Sequence, residues 1–324
     1  MINVAVLRGG PSSEYEVSLK SGSAVLTNLP SDKYNVYDIL VSRDGDWHKR
    51  GLPMTPSKAL QSIDVAFIAM HGEYGEDGTV QKILEDHNIP YTGSSVFASA
   101  LAMDKARTME TLADLPNIKS QLSVTLHPEK VYDVEKESQK LFTNFGPPYI
   151  IKPKQGGSSV GLKIVKTIRE MPEALAESLK QGPVLIEQYI DGREATCGVL
   201  ENLRGEKLYA LPPVEIRIPS GKETFDYEAK YSGETEEICP GNFSQNEKDV
   251  MQNAAKEVHK RLNLRHYSRS DFIVTKDGIY FLEVNTLPGL TEASLLPKSV
   301  EAIGMSFAEL LEHLIEQAMV NKKI

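Results

Sequence analysis

A lysine that closes an apolar strand, Ile150-Ile151-Lys152, is followed by the run Pro153-Lys154-Gln155-Gly156-Gly157-Ser158-Ser159-Val160-Gly161. Glycines let backbone N–H donors approach closely, the serines add hydroxyls and Lys152 adds a cation, a combination suited to a polyphosphate. The Gly-Lys-Ser/Thr ending of a helical P-loop is absent and a strand pattern follows, so that label does not apply. An ordinary glycine-rich hairpin with an exposed lysine is the plain alternative. A second set is Asp271 with Glu283 and Asn285, in two apolar strand patterns joined by Lys276-Asp277-Gly278. Residues two apart share a strand face, so this hairpin brings three oxygen ligands together, a set that fits Mg²⁺. Solvated strand residues are the bland reading, and the phosphate-type loop in the same chain weighs against it. Arg269, two residues before Asp271, offers a permanent cation for a developing negative charge, or else a salt bridge to Asp271. Third, Val184-Leu185-Ile186-Glu187-Gln188-Tyr189-Ile190, with Glu194 beyond it, can present amide edges to a purine and a carboxylate to ribose hydroxyls. Alone, two exposed glutamates without a role fit that segment equally well.

These groups need elements to position them. Ile2 to Leu7, Val36 to Val41 and Asp64 to Met70 read as buried strands, with helical spacing from Val17 to Leu29 and a helix capped by Asp77 and ending near His87. This is a doubly wound α/β pattern, and its strand-end loops, Arg8-Gly9-Gly10-Pro11 and His71 to Gly78, lie where such sheets place ligands. One long helix is expected from about Ser94 to Leu115, and a solvated helix within Leu126 to Asn144. Strands then come closely spaced, at Tyr149 to Lys152, Val160 to Val165, Val184 to Glu187, Ala195 to Leu200, Leu208 to Leu211, Phe272 to Val274 and Ile279 to Val284. Helices at Pro172 to Lys180 and Glu247 to Leu262 interleave, an α+β arrangement. The aperiodic interval Pro219 to Ser244 is a long loop, and such loops inside compact domains are commonly functional.

Composition narrows the function classes. The 324 residues suffice for two domains or three small ones, at about 150 residues each. With 36 Lys and Arg against 45 Asp and Glu, the charge of -9 disfavours a general nucleic-acid binder. No stretch approaches the roughly 18 apolar residues of a membrane helix, and no secretory pattern stands at the amino terminus. The 2 cysteines, Cys197 and Cys239, support neither a disulfide framework nor a zinc site. A cytoplasmic protein without membrane or nucleic-acid partners is the expectation.

The ordered set Gly9-Gly10-Pro11-Ser12-Ser13-Glu14-Tyr15-Glu16-Val17-Ser18, His71-Gly72 with Gly75-Glu76-Asp77-Gly78, Lys152 with Gly157 to Gly161, and Glu283-Val284-Asn285-Thr286-Leu287-Pro288-Gly289-Leu290-Thr291 resembles the D-alanine–D-alanine ligases of the ATP-grasp superfamily. The resemblance runs over nearly the whole chain in the family's order. It implies an amino-terminal α/β domain with a doubly wound parallel sheet (1–98), then a two-part α+β ATP-grasp fold (99–181 and 182–324) that clamps ATP between two sheets. It implies a homodimer, two D-alanine molecules as substrates, and two Mg²⁺ or Mn²⁺ ions. In the implied reaction one D-alanine carboxylate takes the γ-phosphate of ATP. The amine of a second D-alanine then displaces phosphate from the acyl phosphate, giving the dipeptide of peptidoglycan precursors. Magnesium and cations answer the charge concentrated on the transferring phosphoryl group.

By the same resemblance Lys105 and Lys152 contact phosphates, Ser158, Ser159 and Val160 cover them, and the Glu187-Gln188-Tyr189-Ile190 segment lines the adenine, with Glu194 at the ribose. Asp271, Glu283 and Asn285 hold the metal ions. Glu16 takes the ammonium of the first D-alanine with His71 nearby, while Lys230, Ser294 and Leu295 receive the carboxylate of the second. Arg269 and the Gly289 N–H form the oxyanion site. Phe225 to Tyr231 is similar to a mobile ω-loop whose Tyr231 joins Glu16 and Ser158, and closure of such a loop keeps water from the acyl phosphate. Gln188 and Tyr189 depart from the residues commonest in relatives, as does Tyr267-Ser268 before Arg269. Alternatives are another ATP-grasp carboxylate–amine or carboxylate–alcohol ligase, such as a D-alanine–D-lactate or D-alanine–D-serine ligase, or a nucleotide-binding regulator without turnover.

Overall fold

The computed structural model describes residues 1–154, 161–217, 235–291 and 293–320. Three sheets form among them. In the first, β1 (Ile2–Gly9) runs parallel to β2 (Tyr34–Val41) on one side and to β5 (Val65–Ile68) on the other, and the short hairpin β3 (Trp47–Lys49) and β4 (Leu52–Met54) extends the β2 edge antiparallel. The expected parallel sheet is therefore mixed at one edge. Helix α1 (Tyr15–Asn28) lies against β1, turning Val17, Ser18, Ser21, Gly22 and Val25 inward at three- and four-residue spacing. The short α2 (Pro56–Ala59) precedes β5, and α3 (Thr79–Asp86) follows it. Gly78 is the N-cap of α3, and Asp77 instead braces the turn by accepting from the N–H groups of Tyr74 and Thr79.

The single helix expected from Ser94 to Leu115 is broken in two, α4 (Val96–Met103) and α5 (Lys105–Thr111). Asp104 between them is extended and caps the second helix by accepting from the Arg107 N–H, so a residue favoured at N-caps beats the continuous apolar spacing. The break sets Lys105 at the first position of α5.

β6 (Ile118–Lys119) leads to an antiparallel sheet of β7 (Ser123–Leu126), β8 (Tyr149–Pro153), β9 (Lys163–Val165) and β10 (Val184–Gln188), in the order β7-β10-β8-β9. Helices α6 (Val134–Asn144) and α7 (Met171–Leu179) cover one face around Tyr149, Ile151, Leu175 and Ile186. Pairing of β10 with β7 and β8 carries this sheet past the boundary expected at residue 181.

The third sheet centres on β11 (Arg193–Leu203), which pairs with β12 (Glu206–Ala210) and β13 (Val214–Arg217) along one side and with β15 (Tyr267–Thr275) on the other. β14 (Glu236–Ile238) extends it beyond β13, and β16 (Gly278–Asn285) and then β6 beyond β15. Helix α8 (Gln245–Arg261), opened by a Ser244–Glu247 capping box, packs on its core face. Two further helices were not read from the sequence, α9 (Leu295–Glu301) and α10 (Phe307–Val320). They complete the core of the first sheet: Leu287, Leu290, Leu296 and the inner side of α10 join one buried cluster with β1 and β5. No helix among the described residues is long and apolar enough to cross a membrane.

Candidate active site

The face of the third sheet opposite α8 carries the charged set. Thr196 pairs across with Asp271, Asp271 with Glu283, and Arg269 with Asn285, and directly opposed residues share a face. Glu194 stands two residues before Thr196 and shares that face. A β-bulge makes this possible. Phe272 pairs with Phe281 but Asp271 with Glu283, so Leu282 is an extra residue on β16. Phe272, Phe281 and Val284 all enter the core, and the slip of one turns Glu283 and Asn285 to the side of Asp271.

Arg269 grips Asp271 with a two-pronged fork, Nε to Oδ1 and Nη2 to Oδ2, both 2.9 Å. Thr196 Oγ1 donates to Asp271 Oδ1 at 2.5 Å and Asn285 Nδ2 to Oδ2 at 3.1 Å. The salt bridge offered as the plain reading of Arg269 is thus present. Burial works against its charge, but Asp271, then Glu283 and Glu76, outweigh that and raise its pKa, so the guanidinium stays protonated. Lys105 Nζ lies 3.6 Å from Glu283 Oε2. Two carboxylates and a carboxamide on one face are the hard oxygen donors that Mg²⁺ takes, so the residues fit that ion. No group of three or more acidic, histidine or cysteine side chains that could hold a metal occurs among the described residues.

A second set faces this one from the first sheet. His71 follows β5 and is buried, its Nδ1 2.9 Å from the Leu287 carbonyl and its Nε2 2.7 Å from Ser21 Oγ. A carbonyl only accepts, so Nδ1 bears the proton and Nε2 accepts from the serine. Burial lowers the His71 pKa, consistent with that neutral ring. Glu76, from the loop before α3, accepts from Gly72 N–H at 2.8 Å and from Leu287 N–H at 3.0 Å. Desolvation, then the neighbouring charge of Glu14, pushes its carboxyl up to about 7.

Glu16 is not part of this set. Its side chain is 66% exposed on the outer side of α1 and pairs with Arg43. The acid that enters is Glu14, 6% exposed, whose Oε2 would be 2.8 Å from a Cβ on Gly72. Gly72 has a φ of 73°, so glycine there answers both backbone and space. Four-residue spacing from Glu14 to the buried Ser18 was the available signal, because it puts Glu14 on the inward line of α1 and Glu16 off it.

In the second sheet, Lys152 Nζ meets Glu187 Oε2 at 2.6 Å, with the two side chains 13% and 6% exposed. Gln121 donates to the other oxygen of Glu187 at 3.1 Å. The two residues expected at phosphate and adenine are therefore paired with each other. Gln188 and Tyr189 spend their backbone N–H groups on Leu122 and Pro148, and with Ile190 they form the half-buried exit from β10. Lys154, to which the sequence reading gave no role, lies 3.3 Å from Asp104 and ties β8 to the start of α5. Ser294 stands at the N-cap position of α9 without a side-chain cap bond, its Oγ instead receiving the Thr291 N–H of the preceding turn at 3.0 Å, and a Cβ on Gly289 would lie 2.7 Å from that Oγ. The Leu295 side chain is buried against Val214 and Ile216, which leaves only its backbone for a ligand. Ser158, Ser159, Val160, Lys230 and Tyr231 lie outside the described residues.

Comparison with known proteins adds three findings. The family profile described as the D-ala D-ala ligase C-terminus matches residues 114–316, and that of the N-terminus matches 3–59 and 48–94. A D-alanine–D-alanine ligase of Desulfotalea psychrophila is 41% identical over 329 aligned positions, covering 99% of this chain and 96% of that protein. Among solved structures, the D-alanine–D-alanine ligase of Bacillus anthracis complexed with ATP superposes with a TM-score of 0.80 at 32% identity, covering 100% of this chain and 99% of that one. The VanG D-Ala:D-Ser ligase of Enterococcus faecalis gives 0.83 at 30%, covering 98% and 99%.

Proposed function

The chain belongs to the D-alanine–D-alanine ligase family, and from that premise we propose how its residues join two D-alanine molecules at the expense of ATP. The reaction passes through D-alanyl phosphate and yields D-alanyl-D-alanine, ADP and phosphate, in the cytoplasm, for peptidoglycan precursors. The observation that carries the assignment of residues is the single sheet face on which Arg269, Asp271, Glu283 and Asn285 stand together beside Lys105.

Lys105 and Lys152 bind the phosphates, and Lys152 gives up Glu187 to do so. Glu194 holds the ribose and the Glu187 to Ile190 segment the adenine. Asp271, Glu283 and Asn285 would hold Mg²⁺, which when bound would neutralise phosphate charge. Glu14, rather than Glu16, takes the ammonium of the first D-alanine, because it is the buried acid beside His71 and Glu76. Arg269 and the Gly289 N–H stabilise the oxyanion of the tetrahedral intermediate, donors preorganised where charge develops. Ser294 and the backbone at Leu295 receive the second carboxylate. Ser158 to Val160, Lys230 and Tyr231 keep the roles the resemblance gives them, as phosphate cover, carboxylate partner and lid. Three bodies close on the nucleotide, the first ending near residue 98 and the second, by its strand pairing, after Gln188. The assembly is a homodimer, which sedimentation equilibrium tests directly.

Phosphate release from ATP and Mg²⁺, with and without D-alanine, tests the reaction when product mass is read alongside. D-Alanine-dependent release with a D-alanyl-D-alanine mass is expected. Release that depends on D-lactate or D-serine as acceptor, with no dipeptide from D-alanine alone, overturns the acceptor assignment.

A further inference from the structure

We propose that Glu76 and His71 are positioning residues that grip the Leu287 peptide groups and so hold the segment bearing Asn285 and the Gly289 amide in register with the first-substrate pocket. Both backbone groups of Leu287 are taken from the same side of the molecule. Its N–H donates to Glu76 Oε1 at 3.0 Å, and its carbonyl accepts from His71 Nδ1 at 2.9 Å. Ser21, already bonded to His71 Nε2, also lies 3.4 Å from the Leu290 nitrogen. The Leu287 side chain is 2% exposed within the core of the first sheet. It lies so close to Gly93 that a Cβ there would come within 2.6 Å of Leu287 Cδ2.

The residues leaving β16 are thus fastened to the opposite body by backbone, by side chain and by a serine one turn further on. Asn285 lies two residues before the grip and Gly289 two residues after it, too few for either to move independently of Leu287. His71 has both ring nitrogens engaged in this way, which makes it a brace for the loop and leaves its ring no open nitrogen for substrate. Misplacement of reacting groups by about 1 Å costs on the order of 100-fold in rate, so a grip of this kind has kinetic weight. The inference rests on the ligation reading of the site.

Three variants test it: Glu76→Ala removes the acceptor, Glu76→Asp keeps the charge but withdraws it by one methylene, and Glu76→Gln retains an acceptor at the same reach. Backbone hydrogen exchange over residues 285–291 is followed by mass spectrometry on the protein without substrates, beside steady-state kinetics. Exchange is expected to rise about tenfold or more in the Ala and Asp variants, the order of the cost of leaving the buried Leu287 N–H without its acceptor. In the same variants kcat falls by about tenfold or more while the KM for ATP stays within about twofold, and Gln recovers most of both. If Ala does not fold, Asp carries the comparison. Lost turnover with unchanged exchange overturns the proposal, since Glu76 then acts on substrate; faster exchange with unchanged kcat overturns it as well, since the grip then positions nothing. Failure of the ligation reading shows separately, as absence of D-alanine-dependent turnover in the unaltered protein.

Discussion

Glu76→Gln has a pH signature that follows from its surroundings. The carboxyl is pushed from 4.5 up to about 7 by desolvation and by Glu14. A carboxylic acid whose folded value lies above its unfolded one binds more protons in the folded state between the two. Its contribution to stability is therefore fully present below about pH 4.5 and is lost as pH rises through about 7. At 1.36 kcal/mol per unit, the change between pH 5 and pH 8 is about 2 to 3 kcal/mol. Glutamine does not titrate, so the variant lacks this slope whatever its stability at any one pH. Thermal unfolding of both proteins across pH 5 to 8, at constant ionic strength, reads the difference. The unaltered protein should lose about 3 to 4 °C more than the variant over that range. Parallel profiles would refute the reasoning, because they would mean that Glu76 is ionised throughout and that the two N–H donors outweigh its burial.

Other substitutions separate the remaining roles. Glu283→Gln should lower turnover by about 100-fold or more while leaving the circular dichroism spectrum and melting unchanged; undiminished turnover would remove Glu283 from the metal set. Arg269→Lys keeps a charge but not the fork on Asp271, and kcat should fall about 100-fold in the same phosphate assay. Glu14→Ala should raise the KM for D-alanine about tenfold or more, whereas Glu16→Ala, which loses only an exposed ion pair with Arg43, should stay within about twofold. The reverse ranking would restore Glu16 to the ammonium. Glu187→Ala leaves Lys152 buried without its partner and should destabilise the second sheet by about 3 kcal/mol in chemical denaturation, and a loss under about 1 kcal/mol would contradict the closeness of that pair.

Much of the fold is legible because burial imposes simple periods. β1 and β5 are nearly continuous apolar runs, and α8 announces itself by Ser244 and Glu247 three apart. The charged face of β15 is legible too, since Arg269 and Asp271 are two apart. What the sequence withholds is set by partners far away in the chain. Asp104 breaks an apolar run that would otherwise pass for one helix, because a cap is decided by the orientation of the following turn. Lys152 and Glu187 lie 35 positions apart on neighbouring strands, and each reads as a ligand residue until β8 and β10 are paired. Glu76 stands in the Gly75-Glu76-Asp77-Gly78 run without a role legible in the sequence, because its partner is a peptide group more than 200 residues away. Helices α9 and α10 were missed although α10 has a clear inner stripe of Leu310, Leu311, Leu314, Ile315 and Ala318.

The extra residue at Leu282 ties the site to a parity rule. Side chains on a strand have only two sides to choose from, so their placement is a matter of odd and even counting. Straightening the hairpin while keeping Leu282 would send Glu283 and Asn285 towards the core and Val284 out among the charges. Deleting Leu282 would instead leave Phe281 followed directly by Glu283, with Phe281 and Val284 still inward and Glu283 and Asn285 still beside Asp271 and Arg269. A lineage carrying this hairpin can therefore lose the residue and its bulge together, or vary the identity of Leu282, but cannot iron out the bulge alone.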